Sequence, residues 1–227
     1  MRRVLVTGAS RGIGLEFVRQ FLARGDRVFA ACRSPEHAYE LQELASEWLH
    51  LITLNVVDER SIESSYAVVR AQTNALDLLI NNAGVMNDDD ELGMLTFENL
   101  MHIFRINAIA PMLIAQRYLE LLRYGNDPKL VGITSEHGAI ALKPDGGPFG
   151  YSASKAALNM FMRTLAFETD GVTTFVVDPG WVQTDMGGSN ALLTPEQSVE
   201  GMIAVIEAVS QEHNGGFYRW DGEIMPW

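Results

Sequence analysis

Val4-Leu5-Val6-Thr7-Gly8-Ala9-Ser10-Arg11-Gly12-Ile13-Gly14 joins a short apolar run to a glycine-rich turn, and a helical pattern opens at once, with Ile13, Phe17 and Phe21 spaced i, i+4, i+8. A run without polar alternation suits a strand covered on both faces, and a strand that turns through glycines into a helix is the start of a βαβ unit. Similar runs recur at Arg27 to Ala31, Leu49 to Asn55, Leu76 to Asn81, Leu130 to Thr134, Val172 to Val177 and Phe217 to Trp220. Helical patterns lie between them. Leu100, Phe104, Ala108 and Met112 repeat the four-residue spacing, and Thr194-Pro195-Glu196-Gln197 has the cap, the proline and the Gln of a helix start, running to about Val209. The alternation predicts an α/β protein with a doubly wound, Rossmann-type parallel sheet of about seven strands and helices on both faces. With 227 residues and no internal repeat or linker, one domain over 1–227 is expected.

Composition excludes several classes of protein. Apolar residues make up 47% and charged residues 20%, unlike a disordered tail, a collagen or a coiled coil. The formal charge of −12 repels phosphate backbones and anionic lipid, so neither nucleic acid nor a membrane is an expected partner. Cys32 is the single cysteine and the five histidines show no ligand spacing, so neither an internal disulfide nor a metal site is expected. Arg2-Arg3 is followed only by Val4-Leu5-Val6 before Thr7-Gly8, too short for an export signal, and a cytoplasmic location is expected.

The glycines of the first turn let the backbone approach a pyrophosphate, whose charge the N–H groups of the following helix attract. Their spacing, G-x-x-x-G-x-G, differs from G-x-G-x-x-G by one residue; a ligand-free turn is the plainer alternative. At the end of the second strand, where a carboxylate would hold the 2′-hydroxyl of NAD, stand Cys32 and Arg33. Arg33, aided by Arg11, offers a guanidinium to a 2′-phosphate, which points to NADP(H).

Tyr151-Ser152-Ala153-Ser154-Lys155 stacks a phenol and an ammonium on one helical face, and the cation favours phenolate. Ser135 lies just past the strand Leu130 to Thr134, at the carboxyl edge where such sheets bind ligands. Asn107 sits in a helix expected over Phe97 to Leu122. Pro111, four residues on, has no N–H for the carbonyl of Asn107, so a kink and a carbonyl-bound water leading toward Lys155 are expected.

Together these motifs resemble the short-chain dehydrogenase/reductase family over nearly the whole chain: Thr7-Gly8-x-x-x-Gly12-Ile13-Gly14, Asn81-Asn82-Ala83-Gly84, Asn107, Ser135, Tyr151-x-x-x-Lys155 and Asp178-Pro179-Gly180-Trp181-Val182-x-Thr184. The resemblance implies that Tyr151 donates a proton, Ser135 polarises a carbonyl, Lys155 lowers the phenol pKa and binds the nicotinamide ribose, and Asn107 orders a relay water. It also implies a cofactor site built from Gly8, Ser10, Arg11, Gly12, Ile13, Gly14, Arg33, Asn55, Val56, Asn82, Ala83, Gly84, Tyr151, Lys155, Pro179, Gly180, Val182 and Thr184. Pro179 to Gly188 and the ending Trp220 to Trp227 are similar to the C-factor and sniffer-type carbonyl reductase branch. A homodimer or homotetramer acting on a small carbonyl compound is the implied assembly and partner.

Two departures stand out: Asn55 replaces a frequent Asp, and the Ser135 to Tyr151 gap is lengthened by Lys143-Pro144-Asp145-Gly146-Gly147-Pro148. Thr134 is a second candidate for the hydroxyl role. A 3-oxoacyl carrier-protein reductase is an alternative, opposed by the acidic surface an acidic carrier would meet. An NADP-binding sensor with little turnover is another, opposed by the full set of Asn107, Ser135, Tyr151 and Lys155. Asp88-Asp89-Asp90-Glu91 reads as a solvated charge run, and Met186 to Leu193 is too short for a large helical lid.

Overall fold

A computed structural model describes residues 1–44, 46–143 and 146–227. Its strands are β1 Arg3–Thr7, β2 Arg27–Cys32, β3 Leu49–Thr53, β4 Leu78–Asn81, β5 Lys129–Ile133, β6 Thr173–Asp178 and β7 Phe217–Arg219. They form one seven-stranded sheet in the order β3-β2-β1-β4-β5-β6-β7, and every pairing is parallel. The order reverses between β1 and β4, so the carboxyl ends of these two strands splay open a crevice. The helices are α1 Gly12–Ala23, α2 Tyr39–Gln42, α3 Glu59–Gln72, α4 Phe97–Phe104, α5 Ala110–Arg123, α6 Phe149–Glu168 and α7 Pro195–Ala208.

The pleat explains the continuous apolar runs. Val4 and Val6 face one layer and Leu5 the other; Val28 and Ala30 alternate with Phe29 and Ala31, and Val131 and Ile133 with Leu130. One layer packs against Phe17 and Phe21 of α1 and Met202, Ile203 and Ile206 of α7. The other packs against Ile62 and Val69 of α3, Tyr118 and Leu122 of α5, and Leu158 and Met162 of α6. With helices on both faces, the middle positions of the central strands are apolar on both sides of the sheet. At the amino edge of β1 and β4, Arg3 grips the buried Asp77 carboxylate through Nε at 2.8 Å and Nη2 at 2.6 Å.

The helix expected over 97–122 is not uniformly α-helical. A π-helical turn over Arg105–Ile109 separates α4 from α5, and the N–H of Ala110 donates to the carbonyl of Arg105, five residues back. Widening the turn places Pro111 in the first turn of α5, where its missing N–H is least disruptive. The sequence signal was therefore real, and its outcome is a π turn rather than a simple kink.

The run Asp88 to Glu91 is also corrected. Asp88 and Glu91 are exposed, but Asp90 is only 4% exposed and Asp89 accepts a hydrogen bond from Asn99 of α4. The thickened stretch between Ser135 and Tyr151 includes Pro144 and Asp145, which lie outside the described residues. Met186 to Leu193 forms turns closed by a bridge between Val182 and Leu193, with no helical lid. Among the described residues, no helix is long and apolar enough to cross a membrane, and no cluster of His, Cys, Asp or Glu could hold a metal.

Candidate active site

The crevice between β1 and β4 is built by backbone that tolerates no side chains. Gly8 adopts a φ of +67°, and a Cβ there would lie 2.9 Å from Cα of Ala83; a Cβ on Gly14 would lie 2.2 Å from the carbonyl of Gly8. Asn82 fastens the two strand ends, its side-chain amide donating to the carbonyls of Thr7 at 2.9 Å and Gly8 at 3.3 Å. The Thr7 hydroxyl accepts from the N–H groups of Asn82 and Ala83. Helix α1 has no side-chain cap from Arg11 and no acidic residue in its first turn. Its N-terminus therefore presents backbone donors and the positive end of the helix dipole to the crevice. Gly8, Ser10, Gly12, Ile13 and Gly14 thus fit the pyrophosphate of a dinucleotide by space and by charge.

Around this cradle the other residues fall at different distances from the chemistry. Arg33 is exposed directly after β2. The Arg11 guanidinium pairs with Asp185 at 3.1 Å, both side chains being exposed, and a Cβ on Gly12 would lie 3.2 Å from Thr184 Cγ2. The glycine turn is thus drawn against the segment after β6. Asn55 caps its own loop, its N–H donating to Ser61 Oγ at 2.8 Å, and Val56 packs on the core. Pro179 accepts a hydrogen bond from the buried Ser198 of α7, which anchors the turn carrying Gly180, Val182 and Thr184.

Three elements converge on Tyr151. It stands in the first turn of α6, with Lys155 one turn on, and the Lys155 ammonium lies 5.6 Å from the phenol ring centroid. Lys155 donates to the carbonyl of Ile133 at the end of β5, at 2.8 Å. Ser135, two residues further, is 8% exposed and lies near enough to the Tyr151 side chain to favour its phenolate. The Thr134 hydroxyl instead donates to Asn159 Oδ1 at 2.6 Å inside the core, which leaves the hydroxyl role to Ser135. The His137 ring stands edge-on to Tyr151, with centroids 6.0 Å apart, and Lys143 reaches both His137 Nδ1 and Ser152 Oγ at 3.3 Å.

Asn107, within the π turn, locks the loop after β4 to α6. Its side chain accepts from the N–H of Val85 at 2.8 Å, and donates to the Val85 carbonyl at 2.8 Å and to Ser154 Oγ at 3.0 Å. A Cβ on Gly84 would lie 3.4 Å from Asn107 Oδ1 and 3.7 Å from Lys155 Nζ. Gly84 is therefore where the crevice between β1 and β4 meets the cluster of Asn107, Tyr151 and Lys155.

Burial dominates the electrostatics. It pushes the Tyr151 phenol up to about 12, with the Asp178 carboxylate adding to the rise and Ser135 opposing it, so the lowering expected from Lys155 is overridden by burial. It pushes the Lys155 ammonium down to about 8, and the Asp178 carboxylate opposes that fall. Asp178 is itself pushed up to about 6 by burial, with the nearby Glu136 carboxylate adding to the rise and N–H groups of Gly180 and Glu136 opposing it. Lys155 thus remains cationic at neutral pH and Tyr151 remains protonated, the states in which a phenol can act as an acid.

Sequence reasoning did not assign roles to Asp178, Asn159 or Asp90. Asp178 sat inside a recognised motif, and its buried charge becomes evident only when β6 is seen beside Lys155. Asn159, which donates to the carbonyl of Gly138 at 3.1 Å while holding Thr134, carries no sequence signal beyond its place one helical turn after Lys155.

Residues 2–192 match the short chain dehydrogenase model, and the chain belongs to that family. C-signal of Myxococcus xanthus is 40% identical over 157 residues, covering 68% of this chain and 95% of that protein. A carbonyl reductase from chicken fatty liver, solved with NADPH bound, superposes with a TM-score of 0.94 at 37% identity, over 100% of this chain and 99% of that one. The carbonyl reductase Sniffer of D. melanogaster superposes with a TM-score of 0.96 at 28% identity, over 100% of both chains.

Proposed function

We propose that this protein is an NADPH-dependent reductase of small or medium carbonyl compounds. The observation that carries the reading is the meeting, at Gly84, of a crevice suited to a dinucleotide and a cluster of Ser135, Tyr151 and Lys155. The likeness to an NADPH-bound carbonyl reductase supports the cofactor and the substrate class.

When bound, the cofactor supplies the hydride that goes to the carbonyl carbon. The residues of this chain do the rest. Ser135 donates to the carbonyl oxygen and orients it toward Tyr151. Tyr151 gives that oxygen a proton, and Lys155 stabilises the phenolate that remains. Lys155 would also bind the nicotinamide ribose, and the carbonyl of Asn107 would hold a water through which the proton is restored. Gly8 to Gly14 would hold the pyrophosphate, Arg33 the 2′-phosphate, Asn55, Val56 and Asn82 to Gly84 the adenosine side, and Pro179 to Thr184 the nicotinamide end. The likeness to C-signal keeps a second reading in view, an NADP-binding sensor with little turnover.

Tyr151→Phe tests the chemistry, because the ring still packs while its proton is gone. Turnover of an aldehyde with NADPH should fall by about 10² to 10⁴, with cofactor affinity unchanged. A variant retaining half of the wild-type kcat would remove Tyr151 from the mechanism.

A further inference from the structure

Helix α6 carries Tyr151 in its first turn, yet Pro148 at its N-cap offers no capping side chain. The cap comes from a residue 60 positions away in the loop after β4. Asp90 accepts from the N–H of Gly150 at 2.6 Å through Oδ1 and from the N–H of Tyr151 itself at 2.7 Å through Oδ2, while its own carbonyl accepts from Phe149 at 3.2 Å. These are short bonds to a carboxylate that is 4% exposed, the strong class of hydrogen bond. A second observation points the same way. A Cβ on Gly150 would lie 3.1 Å from Asp90 Oδ1, 2.9 Å from Leu100 Cδ2 and 3.0 Å from Ile103 Cδ1 of α4. Glycine immediately before Tyr151 is what lets the carboxylate and α4 close on the helix start.

We propose that Asp90 is a positioning residue for Tyr151: it fixes the start of α6 so that the phenol faces Ser135. The proposal rests on the reading of Tyr151 as the proton donor. It also explains the buried member of the acidic run, since a carboxylate at a helix start meets the positive end of the helix dipole.

The test compares single-turnover aldehyde reduction by wild type, Asp90→Ala and Asp90→Asn at saturating NADPH, with NADPH affinity measured alongside. Asp90→Ala should lose about tenfold in rate with NADPH affinity within about twofold, and Asn, which keeps one acceptor oxygen, should recover most of it. If Ala prevents folding, Gly150→Ala, whose Cβ would press on Asp90 Oδ1, should lose rate in the same selective way. Wild-type rate in these variants, or loss of NADPH affinity in step with rate, would overturn the proposal. Tyr151→Phe in the same assay separates the two failures: full activity there refutes the proton-donor reading itself, whatever Asp90 does.

Discussion

On the proposed reading, Arg33 and Cys32 carry the choice of cofactor. Arg33 is exposed after β2, whereas the Arg11 guanidinium is engaged with Asp185, so Arg33 is expected to take the larger share of a 2′-phosphate. Hydrogen bonds to charged groups contribute about 1.5 to 3 kcal/mol, and about 1.4 kcal/mol is tenfold in affinity. Solvent screens an exposed contact, so about tenfold is the expected loss of NADPH affinity in Arg33→Ala, with NADH almost unaffected. Cys32→Asp should reverse the preference, because a carboxylate accepts from a 2′-hydroxyl and repels a phosphate. Titration of both cofactors against both variants checks this, and a wild type that binds NADH as tightly as NADPH would refute it. Residues whose role depends on close sequence spacing were legible: Tyr151 and Lys155 stack on one helical face, and Gly8, Gly12 and Gly14 crowd one turn. Asp90 was not, because its partners lie 60 and 61 positions away and an acidic run reads as solvated until the chain is folded.

At the scale of elements, the strands were legible because burial on both faces leaves mainly apolar residues in each run. Helix α3 was harder to find: Ile62, Tyr66 and Val69 are its buried apolar positions, set among polar residues. The π turn was half legible. Pro111 marks the disturbance, but whether the chain kinks or widens depends on Asn107, whose side chain is tied to Val85 and Ser154. Pro111→Ala supplies an N–H for the Asn107 carbonyl, so the turn should revert to α-helical spacing and displace that side chain. Activity should fall while stability changes little, since Pro111 stands in the first turn of α5, where a proline is accommodated. A crystal structure of the variant retaining the π turn would contradict the argument.

For the whole molecule, two buried carboxylates set opposite limits on stability. Burial raises the Asp77 pKa, but hydrogen bonds from Arg3 and from the N–H of Asn126 outweigh it, so the net shift is downward. Its contribution is present above the unfolded value of about 3.9 and is lost as pH falls through the folded pKa. Asp178, pushed up to about 6, works the other way: stability is fully present below the unfolded value and is lost as pH rises through the folded one. Together these two carboxylates favour the folded state most at about pH 4, and the loss due to Asp178 falls between about pH 4 and 6. Asp178→Asn should flatten the decline on the alkaline side, by up to about 3 kcal/mol. Thermal melts across pH read this directly, and an unchanged alkaline limb would refute the assignment. The central claim is that crevice and cluster together reduce carbonyls. Its most direct measurement is oxidation of NADPH by the purified wild-type protein across aldehydes, quinones and diketones. Turnover with at least one of these classes is the predicted result; tight NADPH binding with no turnover of any of them would contradict the claim and favour a sensor.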